Sequence, residues 1–391
     1  MRWVWLALAL AGCGVAAAHP TARPACAGTV APSQLGAIHF LGPEVGVGLT
    51  LPTPRCAAML AISRDGGRRW LTEGSGLEGA GRVEQLVATS TRRAWAVVGA
   101  GRVMSTTDGG TSWTAEPPRG SVMALVLGRR TLWMLDCLGG SAYSCDSVLV
   151  RKVLPNGVWT ISSPKLLPNP EPKLALAGGR TVVATGGGTV VIVSDGGKRF
   201  TERPVPTWMG QPCQTAGLAA AGRNWWLLCL GGAAAGSSDK ALLRTTDAGA
   251  RWNVVSQVTS LTAPLRPGAI PRQEPDAIAA GSPARLWLAT QNDLYESGDG
   301  GARWPWVRGP DPQGTPASFD VLTPTRAWLL APGQGLWRTT DGRHWHALGA
   351  VVIPEWPAPA PARPTAAPAP AASRARAAPP RAPAGQPAAP R

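Results

Sequence analysis

Long helical runs are missing from this chain of 391 residues, because 48 Gly and 39 Pro interrupt it too often for a sustained 3.6-residue apolar period. That excludes a helical bundle. Tyrosine occurs only at Tyr143 and Tyr295, so a reaction that needs a phenol nucleophile has two candidates. No Cys-x-x-Cys occurs, and His19, His39, His344 and His346 do not fall at ligand spacing from any cysteine. Neither a metal nor a cofactor is expected. Acids are outnumbered, 23 Asp and Glu against 38 Lys and Arg, which gives a net charge of +15. The apolar run Trp3–Leu10 after Met1-Arg2 reads as an export signal rather than a strand or a membrane span.

What the chain has instead is a phrase repeated about every forty to fifty residues: Ser or Thr, any residue, Asp, a small residue, Gly, two residues, Trp. It reads Ser63-Arg-Asp65-Gly-Gly67-Arg-Arg-Trp70, Thr106-Thr-Asp108-Gly-Gly110-Thr-Ser-Trp113, Thr245-Thr-Asp247-Ala-Gly249-Ala-Arg-Trp252 and Ser297-Gly-Asp299-Gly-Gly301-Ala-Arg-Trp304. Weaker copies surround Asp195, where the residue two before Asp is Val193, and Asp341, where the phrase is one residue short. Each copy reads as a hairpin turn: the carboxylate accepts backbone N–H groups, the Gly residues take positive φ, and the hydroxyl closes the other side. Upstream lie apolar runs, several with a Trp of their own, at Trp95, Trp133, Trp225-Trp226, Trp287 and Trp328. Units of three or four short strands at a fixed period predict an all-β propeller. The interval of 87 residues between Asp108 and Asp195 hides a further unit around Leu154-Pro-Asn156-Gly157. The expectation is a seven-bladed β-propeller over residues 35–352, with six or eight blades as the alternatives.

The phrase resembles the Asp-box, or BNR, repeat of the sialidase-like superfamily, and the chain is most similar to the photosystem II stability and assembly factor proteins. The resemblance spans about 320 of 391 residues. It implies that Asp65, Asp108, Asp195, Asp247, Asp299 and Asp341 are structural turn residues away from the ligand face. It also implies a non-enzymatic scaffold or assembly factor whose partner is a protein, here one embedded in a membrane. A sialidase-like glycoside hydrolase or glycan-binding propeller is the alternative reading. A sialidase-like mechanism needs an Arg triad, a Tyr activated by Glu, and an Asp acid/base. Tyr143 and Tyr295 suit it poorly, Tyr295 because Glu296 beside it points to the other face of the strand. No spacing singles out a carboxylate pair.

The leader ends in Leu10-Ala11-Gly12-Cys13, which resembles a lipobox with Cys13 as the lipidated thiol; Ala16-Ala17-Ala18 offers an ordinary cleavage site instead. The segments are thus a signal at 1–12 or 1–18, a linker at 13–34, the propeller, and a Pro/Ala/Arg-rich tail at 353–391, expected to be disordered. Either processing route exports the protein, as a membrane-anchored lipoprotein or a secreted one. Six cysteines remain, Cys26, Cys56, Cys137, Cys145, Cys213 and Cys229, an even number suited to an oxidising compartment. Local pairing gives 26–56, 137–145 and 213–229, one of fifteen connectivities.

In a four-stranded blade the repeated turn joins strands three and four, so connections between strands two and three, and between blades, emerge on the opposite face. Long connections there, over 162–173, 202–214 and 256–276, carry Lys165, Lys173, Arg203, Trp208, Arg266 and Arg272 as ligand-face candidates. Neutral drift of Gly/Pro-rich loops is the competing reading. Basic surface favours an acidic partner or lipid headgroups; nucleic acid is not expected for an exported chain.

Overall fold

Every described copy of the phrase closes a hairpin by one set of hydrogen bonds. The computed structural model describes residues 26–349 except 118–119, 142–143, 163–172, 179–180, 187, 195–196, 235–236, 260–266 and 308–317. The leader, Cys13, Asp195 and the tail at 353–391 lie outside the described residues. In the turns, Ser63 Oγ donates to Asp65 Oδ1 at 3.0 Å while accepting the Gly67 amide at 2.8 Å. Thr106, Thr245 and Ser297 repeat the pair of contacts toward Asp108 and Gly110, Asp247 and Gly249, and Asp299 and Gly301. The hydroxyl must donate and accept at once, which is why the phrase begins with Ser or Thr. The carboxylate then receives the outgoing amides, as Arg68 and Arg69 do at Asp65 with 2.9 and 3.0 Å. The side-chain hydroxyl and amide of Ser112, with the Thr106 hydroxyl, hold the Asp108 carboxyl down to about 2. Both glycines of the Asp65 turn have positive φ, 75° and 98°; Ala248 takes the first such place in the Asp247 turn at φ 61°.

The sheets follow one another along the chain. The N-terminal sheet holds Gly28–Val30, Leu35–Phe40, Gly46–Thr50, Ala58–Ser63 and Trp70–Leu77. Blade 1 follows with Val83–Ala88, Ala94–Val98, Arg102–Thr106 and Thr114–Ala115; blade 2 with Ser121–Leu127, Thr131–Ser141, Ser144–Val153 and Trp159–Ile161. Blade 3 has Lys173–Ala177, Thr181–Gly186, Thr189–Ser194 and Arg199–Pro204, and blade 4 Gln214–Ala221, Asn224–Ala234, Ser237–Thr245 and Asn253–Val258. Blade 5 comprises Pro275–Ala280, Leu286–Thr290, Leu294–Ser297 and Trp306–Val307, and blade 6 Ser318–Thr323, Arg326–Ala331, Gly335–Thr339 and Trp345–Leu348. All pairs are antiparallel, and each blade is a meander.

This corrects the expected seven blades: six sheets are four-stranded blades. The remaining sheet is built differently, from five strands, because Gly28–Val30 adds to Trp70–Leu77 from within the stretch assigned to a linker. Three residues without an apolar pattern gave no sign of that pairing. A two-stranded ribbon, Thr207–Trp208 with Gln211–Pro212, stands between blades 3 and 4. The first strands of successive sheets pack side by side, and that of blade 6 returns to Leu35–Phe40, closing the ring. The architecture is an all-β propeller.

Second strands are covered on both faces by neighbouring blades, so Ala94–Val98 and Leu286–Thr290 are buried throughout and their sequences run largely apolar rather than alternating. The second-strand tryptophans join the blades. Trp226 Nε1 donates to Gly300 O at 2.9 Å and Trp287 Nε1 to Gly342 O at 3.0 Å, each into the turn of the next blade. Trp328 Nε1 of blade 6 donates to Gly66 O of the N-terminal sheet at 3.0 Å. An arginine accompanies each contact, Arg244 at Gly300, Arg285 at Gly342 and Arg338 at Gly66, so close that a Cβ on the glycine would overlap the guanidinium. The second function of the repeated Gly is therefore to admit a neighbour. Blade 2, whose turn spans Leu154–Gly157, lacks this receptor, and Trp95 Nε1 of blade 1 donates instead to Glu116 Oε1 at 3.1 Å, a carboxylate also held by Lys152 and Trp159 at 2.8 Å each.

Candidate functional site

The ribbon and the connection that enters blade 5 both touch the second hairpin of blade 4, the one at Gly231 and the other at Ser238 and Lys240. Trp208 of the ribbon is 8% exposed, abuts Gly231 and donates Nε1 to Gln257 Oε1 at 3.1 Å. Cys213, next to the ribbon, is bonded to Cys229 of blade 4. The ribbon tip, Met209, is held at φ 52° with 63% of its surface exposed. A large apolar side chain thus stands on a short hairpin fixed at its base by a covalent bond and an indole.

On the other side of the hairpin Lys240 is fully buried. Its ammonium donates to the carbonyls of Arg272, at 2.9 Å, and Gln273. Burial pulls the Lys240 pKa from 10.5 down to about 8, with the Glu274 carboxylate acting the other way. The Ser238 amide donates to the same Arg272 carbonyl at 3.0 Å, so strand Ser237–Thr245 pins the connection that enters blade 5. Gln273 continues the chain of contacts to Asp293, whose Oδ2 it meets at 3.3 Å, while Asp293 Oδ1 accepts Trp306 Nε1 at 2.8 Å. Burial, with the Asp293 charge second, raises the Tyr295 pKa beside them.

Of the six ligand-face candidates, Lys165 and Arg266 lie outside the described residues. Trp208 and Arg272 are brought together, on opposite sides of one hairpin. Lys173 starts the innermost strand of blade 3, its amide on Thr185 Oγ1 at 3.3 Å, and Arg203 lines a separate cleft of about 670 Å³ with Trp252 and Val254. Sequence reasoning passed over Lys240, Gln273 and Asp293. Lys240 carried a weak signal, since it stands in alternation with Leu242 on strand Ser237–Thr245.

The disulfides correct one expectation. Cys26–Cys56 and Cys213–Cys229 are formed. Cys137 is a buried free thiol rather than the partner of Cys145. In the ladder Cys137 stands opposite Ser147 and Cys145 opposite Gly140, so the hairpin register leaves the two cysteines off opposite positions. Among the described residues no His, Cys, Asp and Glu cluster could hold a metal ion, and no helix is long and apolar enough to cross a membrane. Tyr295 and Glu296 go to different surroundings, Tyr295 to Gln273 and Asp293, Glu296 to Arg285 at 3.5 Å.

No family model matches the chain, and no curated protein does. Solved structures share its architecture. One, described as YCF48 bound to D1 peptide, is 17% identical with a TM-score of 0.51, over 80% of this chain and 94% of that one. The likeness is one of fold. YCF48 from Cyanidioschyzon merolae is 14% identical with a TM-score of 0.50, over 81% of this chain and 97% of that one. An ancestral GH74 enzyme reaches a TM-score of 0.57 at 12% identity, over 82% of this chain but 46% of that one. One fold therefore accompanies both a peptide complex and an enzyme, and function has to be argued from the residues.

Proposed function

We propose that this protein is an exported, non-enzymatic propeller that binds a polypeptide segment of a protein partner on the face carrying the ribbon and the blade 4 hairpin. The observation that carries the reading is the fixed presentation of Met209: an exposed apolar side chain on a ribbon held by Cys213–Cys229 and by Trp208. Preorganised loops bind with less loss of conformational entropy than mobile ones. The Lys240 pin extends that rigidity to the connection entering blade 5. The two disulfides fit an oxidising, extracytoplasmic compartment, with Cys13 as the lipid-bearing residue of an anchored form and the partner a membrane protein. The D1 peptide bound by YCF48, a chain of similar fold, supports the same class of ligand. The separate surroundings of Tyr295 and Glu296 weigh against a Tyr-dependent hydrolase.

The test is site-specific photocrosslinking in native membranes, with the crosslinker at Met209 or at Leu71, a residue 53% exposed on strand Trp70–Leu77 of the N-terminal sheet. The proposal expects one discrete protein adduct from Met209, none from Leu71, and loss of the adduct in Cys213→Ser/Cys229→Ser. Equal adducts from both positions, or turnover of a glycoside panel by the purified protein, would refute it.

A further inference from the structure

A second place is built for a ligand, on the outer rim between blades 5 and 6. There the last strands of the two blades enclose an open crevice of about 550 Å³. One wall is Trp306, 57% exposed yet not free to turn, since its Nε1 is anchored on Asp293. The facing wall carries Arg343 and His346, and the floor Glu296 and Trp345. Glu296 is held by Arg285 at 3.5 Å and also feels the charge of Arg343, which itself makes no side-chain hydrogen bond or ion pair within contact distance of a described residue. Trp345, 6% exposed, has an Nε1 that no described residue accepts.

The propeller framework does not demand this lining. The cleft between blades 3 and 4 occupies the corresponding place; it also has an arginine and an indole, Arg203 and Trp252, beside Val254, Pro204, Val205 and Leu243, but neither a carboxylate nor an imidazole. Exposing a large indole while fixing its orientation is costly for a fold but useful for stacking against a flat, CH-bearing ligand face. A guanidinium in contact with no carboxylate of the described residues can take a planar anion such as a carboxylate. Between them, the His346 ring and the Glu296 carboxylate offer donor and acceptor positions for hydroxyls.

We propose that the crevice between Trp306 and Arg343 binds an acidic saccharide, the pyranose ring lying on the Trp306 indole and its carboxylate pairing with Arg343. A ring of that kind combines the apolar face, the hydroxyls and the anion that the walls supply separately. This site is distinct from the Met209 face and does not depend on the reading given for it.

The test is titration calorimetry of the full-length protein with tetragalacturonate, and with cellotetraose as its neutral counterpart. Tetragalacturonate is expected to bind, and cellotetraose at least several-fold more weakly. Trp306→Ala is expected to weaken tetragalacturonate roughly tenfold or more. Arg343→Gln should bring the two saccharides to equal affinity, and Val254→Ala, in the corresponding cleft, should change nothing. A melting temperature within a degree or two of wild type separates loss of the site from loss of the fold. The proposal is overturned by no binding of tetragalacturonate, by equal wild-type affinity for the two saccharides, or by an unchanged affinity in Trp306→Ala.

Discussion

The ring closes without a covalent link between blade 6 and the N-terminal sheet, and Trp328 is the centre of that seam. Its ring is fully buried, stacks on Phe40 at a centroid distance of 3.6 Å with planes 5° apart, and lies under the Arg338 guanidinium at 5.6 Å. Its Nε1 donates to Gly66 O, and around it Gly333 N donates to Ser33 O at 3.1 Å and Phe40 N to Asp320 Oδ2. Trp328→Ala removes the buried ring and leaves a cavity, a loss of about 4 kcal/mol. Trp328→Phe keeps an aromatic against Phe40 but strands the Gly66 carbonyl, about 1–2 kcal/mol. Trp226→Ala, whose Nε1 makes the same bond to Gly300, should cost a similar amount by equilibrium denaturation. The two differ in topology. Blades 4 and 5 are consecutive in the chain, so Trp226→Ala loosens one contact, whereas Trp328→Ala lets the ring part where blade 6 meets the N-terminal sheet. Hydrogen exchange should therefore show Leu35–Phe40 and Ser318–Thr323 losing protection together in Trp328→Ala, with no paired loss in Trp226→Ala. Paired loss in neither variant, or a denaturation change in Trp328→Ala below about 1 kcal/mol, would show that the seam is not what holds the ring.

Asp108 has a folded-state pKa near 2 against an ordinary 3.8, so its contribution is present above about pH 4 and lost as pH falls toward 2; melting curves across that range should be flatter for Asp108→Asn than for wild type. Lys240 gives the opposite case. With its pKa lowered from 10.5 to about 8, the unfolded chain binds the extra proton between those values, so this group adds stability as pH rises from 8 to 10.5, by about 3 kcal/mol, a rise that Lys240→Met should abolish in denaturation measured at both pH values. Replacing Cys213 and Cys229 by Ala opens a link of 16 residues' separation and should cost about 3 kcal/mol by chemical denaturation, with the Met209 ribbon losing hydrogen-exchange protection before the rest of blade 4.

The turn phrase was legible because its chemistry is local: Ser63, Asp65 and Gly67 satisfy one another within five residues, and any chain with that spacing can do the same. The neighbouring disulfides Cys26–Cys56 and Cys213–Cys229 were legible for a similar reason, short separation along meandering strands. Cys137 misled, because the position of the hairpin tip puts it opposite Ser147, and cysteine spacing does not record where a hairpin turns. The candidate site was half legible. Trp208 and Arg272 announced themselves as exposed types in long connections, but Lys240 and Asp293 act through backbone carbonyls and an indole that come from other segments.

By itself, then, the sequence determined the hairpin turns, the all-β class and the strand rhythm, since these depend on hydrogen bonds and apolar periods spanning a few residues. Tertiary structure alone decided that Gly28–Val30 completes a five-stranded sheet, that the second-strand tryptophans grip the next blade's turn, and that Trp306 faces Arg343 across a crevice. Each of these joins residues from different strands or blades, and which surfaces meet depends on the twist and stacking of whole sheets rather than on any local preference.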